Sequence, residues 1–105
     1  MVLCDEDQER LRNIRAYISE HLAEDLSQER LASLFFLSVS TLRRHFCCTY
    51  GLTIHDHILQ ERMALARRLF DAGDTTIAAL APQVGYKDAV AFSRAYERFH
   101  GVLLK

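Results

Sequence analysis

The strongest constraint on this chain is that it repeats itself. Leu31-Ala32, Ser38, Leu42, Arg44 and Phe46 find counterparts in Leu80-Ala81, Asp88, Phe92, Arg94 and Tyr96. The offset is 49 at the alanines and, after one extra residue in the second turn, 50 from Ser38 onward. Each copy reads as a short helix, a tight turn and a longer helix. Ser38 and Asp88 offer an oxygen to an orphan N–H of the turn that follows, as helix N-caps do. Leu42 and Phe46, like Phe92 and Tyr96, stand four apart and so share one helical face. The small Ala32 and Ala81 let the second helix of each copy pack closely on the first.

Helix, tight turn and capped helix make a helix-turn-helix unit. Two at matched spacing specify far more than one. The segments around them are also helical by periodicity. Residues 8–22 carry Leu11, Ile14, Tyr17, Ile18 and Leu22 as one apolar stripe. Ser27 caps a short helix over 28–36, and Ser38 caps 39–49, which Gly51 ends. Thr53 caps a long helix over 54–72, with Ile58, Met63, Leu65, Ala66, Leu69 and Phe70 inward and Gly73 as its stop. Thr76 caps 77–84, Gly85 breaks it, and Asp88 caps 89–100 with Phe92, Tyr96 and Phe99 on one side and Gly101 at its end. The expected fold is all-α, two tandem helix-turn-helix units joined by a long central helix. Residues 1–105 form a single domain: 8–52 the first unit, 53–73 the linking helix, 74–105 the second unit. Four Gly and one Pro are too few for a sandwich of tight turns.

Charge sharpens the division. Residues 1–29 carry three arginines against eight acidic residues, whereas residues 30–105 carry ten basic side chains against six acidic ones. A chain of net charge −1 can therefore still present a basic face. Three cysteines are too few for a disulfide scaffold and point to a reducing cytoplasm. No apolar run is long enough to span a membrane, and no phosphate loop, zinc-protease motif or nucleophile elbow marks an enzyme.

The sequence resembles the DNA-binding domain of the AraC/XylS (arabinose-operon regulator) family of bacterial transcription factors over about Ile14–Val102. The first copy carries the likeness in Tyr17-Ile18, Leu26-Ser27, Leu31-Ala32, Ser38, Ser40-Thr41-Leu42, Arg44 and Phe46. Gly51, Arg62, Ala66 and Leu69 continue it. The second copy adds Thr76-Ile77, Ala81, Val84-Gly85-Tyr86, Asp88, Phe92-Ser93-Arg94-Ala95-Tyr96, Phe99 and Gly101, the most distinctive run. The resemblance implies sequence-specific binding of double-stranded DNA, with the two recognition helices in successive major grooves about 34 Å apart. It implies regulation of transcription without a cofactor or metal, with RNA polymerase and a separate effector or dimerisation domain as further partners. The turn position that the family gives to a small residue is Phe36, a strained choice if φ is positive. Pro82 falls inside the fifth helix and should shorten or kink it. Cys47-Cys48 replace a common basic pair.

The candidate contacts follow from the two second helices. Arg43 and Arg44 suit guanine O6 and N7 or phosphate, with Ser40 and Thr41 beside them. In the second unit Arg94 is the leading contact, supported by Ser93 and Arg98, while Ala89 and Val90 suit thymine methyls or simply fill space. Asp88 reads as a cap, and Glu97 is expected to face away from DNA. Arg62, Arg67 and Arg68 suit either the DNA backbone or surface pairing. His45, Cys47, Cys48, His55 and His57 invite a metal or redox-sensing reading but lack the usual spacing of metal ligands; a half-buried thiol and surface imidazoles are the expectation. The alternative function is an interaction module that keeps the fold, has lost DNA binding, and meets RNA polymerase or another regulator through its acidic first helix.

Overall fold

The computed structural model describes residues 5–73 and 76–101. Its regular structure is helical throughout: α1 (Asp5–Glu20), α2 (Gln28–Leu34), α3 (Val39–Tyr50), α4 (Ile54–Asp71), α5 (Ile77–Gln83) and α6 (Ala89–His100). The five helix starts after α1 have a side-chain cap of one pattern. Ser27 Oγ accepts from the Arg30 amide at 3.2 Å, Ser38 Oγ from Thr41 at 3.1 Å, and Thr53 Oγ1 from Asp56 at 3.1 Å. Thr76 Oγ1 accepts from Ala79 at 3.1 Å and Asp88 Oδ1 from Ala91 at 2.8 Å. Such a cap contributes about 1 kcal/mol.

The helix ends correct several sequence boundaries. α1 stops at Glu20, so Leu22 is buried but lies beyond the helical stripe. α2 stops at Leu34 because Phe36 adopts φ 60°. The amide of Phe36 donates to Ser33 O at 3.4 Å and that of Leu37 to Ala32 O at 2.9 Å, the paired bonds that close a helix through a left-handed residue. The second copy repeats this bond for bond. Gly85, at φ 91°, donates to Pro82 O at 3.3 Å, and Tyr86 to Ala81 O at 2.9 Å. Pro82 thus sits in the last turn of α5, where its carbonyl still serves, and the helix ends one residue later.

The described chain divides into two compact units. One runs through His21 and resumes over Asp25–Ile58; the other comprises Leu22–Glu24 and the chain from Leu59 onward. α4 supplies residues to both. In the first unit α2 packs on α3, and the buried side chains include Ile14 and Ile18 of α1, Leu31 of α2, Leu42 and Phe46 of α3, and Ile54 and Ile58 of α4. In the second, α5 packs on α6, and Met63, Ala66, Leu80, Ala81, Val84, Phe92 and Tyr96 form one core cluster. The repeat is therefore a repeat of cores: Leu31 matches Leu80, Ala32 Ala81, Leu42 Phe92 and Phe46 Tyr96, and all eight are buried. Truncating Leu42 or Phe92 to Ala should cost about 2–5 kcal/mol.

Two expectations about the polar and sulfur side chains are overturned. His57 is not a surface imidazole: it is 6% exposed and its ring tilts against Phe46 at 5.4 Å. It stands three residues after buried Ile54 and next to Ile58, on the inward side of α4. Cys47 and Cys48 are not half-buried; both are free and exposed.

Candidate nucleic-acid interface

Helical phase decides what α3 and α6 can offer a ligand. At 100° per residue, burial of Leu42 and Phe46 sends Ser40, Arg44, Cys47 and Cys48 to the opposite face of α3. All four are exposed. In α6, burial of Phe92 and Tyr96 does the same for Val90, Arg94, Glu97 and Arg98, again all exposed. The two outward faces thus correspond residue for residue at the offset of 50.

The remaining candidates lie at the edges of that face or are partly covered. Thr41 is half-buried, and its hydroxyl accepts from Ser38 Oγ at 2.8 Å, so it belongs to the cap as much as to the surface. Arg43 is exposed but a quarter-turn from Arg44. It lines an open hollow of about 430 Å³ with Ser27, Gln28, Glu29 and His55. Arg43 and Arg44 therefore point about 100° apart around α3. Ala89 and Ser93 are half-buried flank positions. Glu97 departs from expectation. It is three residues after Arg94 and seven after Val90, and it lies exposed on their face. Counting the phase of α6 from Phe92 would have found this in the sequence.

Electrostatics separates the arginines into two groups. Arg62 is a framework residue: its Nε donates to Leu22 O at 3.2 Å and its Nη2 to Glu24 O at 3.1 Å, within the second unit. Arg67 bonds the Tyr96 hydroxyl at 3.5 Å and Asp71 at 3.1 Å. Tyr96 first and Asp71 second raise its pKa above the ordinary guanidinium value. Both guanidiniums are thus engaged by groups of the second unit. Among the described residues, by contrast, Arg43, Arg44 and Arg94 have no ion-pair or hydrogen-bond partner. The helix starts differ too. α3 has no acidic residue in its first turn and a neutral cap, which leaves the positive end of its dipole open to an anion. α6 begins at the Asp88 carboxylate, which occupies the same position with negative charge.

Comparison with known proteins places this arrangement. A family model described as "Helix-turn-helix domain" matches residues 31–105. The transcriptional activator RhaS of Enterobacter sp. (strain 638) is 33% identical over 89 residues, covering 85% of this chain and 32% of that protein. The chain spans about a third of the length of the curated relatives it matches. Among solved structures, the C-terminal domain of AraT, a response regulator from Geobacillus stearothermophilus, matches with a TM-score of 0.86 and 28% identity, over 90% of this chain and 78% of that one. The DNA-binding domain of the global transcriptional factor AdpA, solved in complex with a target DNA, matches with a TM-score of 0.83 and 26% identity, over 90% and 85%. These relatives are transcriptional regulators rather than enzymes. With its matched helix-turn-helix pair and the family model covering most of its length, the chain belongs to the AraC-type helix-turn-helix family.

Proposed function

We propose that this chain is a sequence-specific, double-stranded DNA-binding domain of a bacterial transcriptional regulator, with α3 and α6 entering successive major grooves. The observation that carries the reading is the uncommitted arginine at the equivalent outward position of each helix, Arg44 and Arg94. Arg44 and Arg94 read base edges, Ser40 and Val90 flank them, and Arg43 and Arg98 hold phosphates. Thr41, Ala89 and Ser93 support the contact from the flanks. Residues 1–105 act as one DNA-binding domain, with 53–73 as its linking helix. The domain works at the chromosome in the cytoplasm, alongside RNA polymerase and an effector or dimerisation domain outside these 105 residues. Support comes from AdpA, whose matching domain was solved on its target DNA, and from the activators among the curated relatives.

Binding should be salt-dependent. Each neutralised phosphate contributes a slope of about −0.9 in log K against log salt, and three to five contacts give roughly −3 to −4.5. Fluorescence anisotropy with duplex DNA across a salt series measures it. A second reading, a helix-turn-helix fold turned to protein contact, is favoured by one observation: Phe36 is 92% exposed. That reading predicts a slope near zero.

A further inference from the structure

We propose that Cys47 and Cys48 are a thiol-modification site on the outward face of α3, at which exchange with an anionic low-molecular-weight disulfide, of the class of oxidised glutathione, switches DNA binding off. The proposal rests on the reading of α3 as a recognition helix. Both cysteines are free and exposed, although cysteine is among the residues most often buried. Neither contributes to the core, which α3 supplies through Leu42 and Phe46, and neither is assigned a DNA contact. They follow Arg44 by three and four residues, so both stand one turn beyond it on the same surface. In α6 the equivalent positions are Glu97 and Arg98, so the thiols are not a property of the repeat.

Geometry directs the chemistry outward. Neighbouring residues of a helix point about 100° apart, so Cys47 and Cys48 do not reach each other's sulfur without unwinding α3. The Cys47 carbonyl also holds the helix end by accepting from the Gly51 amide at 2.9 Å. The oxidant is therefore external. A cysteine thiolate attacks one sulfur of the disulfide, the original S–S bond breaks, and a protein–glutathionyl S–S bond forms. The other half leaves as a thiolate and takes up the proton the cysteine gave up. The protein thiol is oxidised and half of the small disulfide is reduced, so the step balances. The Arg44 guanidinium favours approach of the anionic reagent. Once attached, the adduct's carboxylates pair with Arg44 and oppose the DNA phosphates.

The test uses the full chain in a Cys4→Ser background, so that only the pair reports. Anisotropy with duplex DNA is measured on the reduced protein, after oxidised glutathione, and after dithiothreitol; mass spectrometry of peptides locates the adduct. The proposal expects an affinity loss of about tenfold or more on modification. It also expects full recovery with dithiothreitol, and a Cys47→Ser/Cys48→Ser protein that binds like the reduced form and ignores the reagent. An adduct on either cysteine that leaves affinity within about twofold overturns it. So does failure of both thiols to react, or an affinity loss that tracks loss of helical circular dichroism. If the reduced protein shows no salt-sensitive binding before any oxidant is added, the DNA reading itself has failed and the switch falls with it.

Discussion

At the scale of single residues, the two turns make a controlled comparison. The same left-handed position holds Phe36 in one copy and Gly85 in the other. A side chain at Gly85 would meet Leu22 O at 2.5 Å and the Arg62 guanidinium at 2.8 Å. Phe36 points into solvent instead, so the first turn tolerates a side chain and bears only the backbone strain. Phe36→Gly should therefore raise stability by about 1 kcal/mol, and Gly85→Ala should lower it by about 2–4 kcal/mol; urea denaturation reads both. A second prediction concerns Tyr86. Burial raises its phenol pKa, against the opposing pull of Arg62 and then Arg98. The folded state thus holds this proton more tightly than the unfolded chain. The stabilisation is fully present below the unfolded value near 10 and is lost as pH rises through the folded one. Tyr86→Phe should flatten the alkaline limb of a stability–pH profile.

At the scale of elements, α3 and α6 share a phase but not a surface. α3 presents Ser40 and Arg44 beside an open helix start; α6 presents Val90 and Arg94 beside Glu97, behind a carboxylate cap. A target site should accordingly contain one sharply defined box, read by α3, and one degenerate, A/T-tolerant box. DNA selected in vitro from random sequence, with crosslinking to assign each box, tests this; a sharper box under α6 would reverse the assignment. Arg44→Ala should cost about 1–3 kcal/mol of discrimination, whereas Arg43→Ala should weaken cognate and random DNA alike. Much of the fold is legible in the sequence. Caps and helix stops are local chemistry, so Ser27, Ser38, Thr53, Thr76 and Asp88 announced themselves. Burial is not local. His57 looked like a surface imidazole because its apolar neighbours, Phe46 among them, come from elsewhere in the chain. Leu22 fitted the stripe of α1, yet the helix ends before it.

At the scale of the whole molecule, the repeat suggested two consecutive halves, but the units that form are not consecutive. Leu22–Glu24 belongs with the chain from Leu59 onward, although the intervening residues build the other unit. No sequence periodicity marks such an exchange, because a three-residue segment has no period. What holds it is Arg62, which bonds two of its carbonyls, with Gly85 against one of them. The consequence reaches to dissection of the gene. A fragment starting at Leu59 would carry a whole helix-turn-helix by sequence and still lack the acceptors of Arg62 and the backbone that Gly85 is shaped to meet. Such a fragment should show little helix by circular dichroism at 25 °C, while the full chain is folded. A synthetic peptide spanning residues 20–26, added to it in excess, should recover part of that helix. Two copies adjacent in sequence are thus not expected to be separable into working parts by a single cut, because three residues of one lie in the unit of the other.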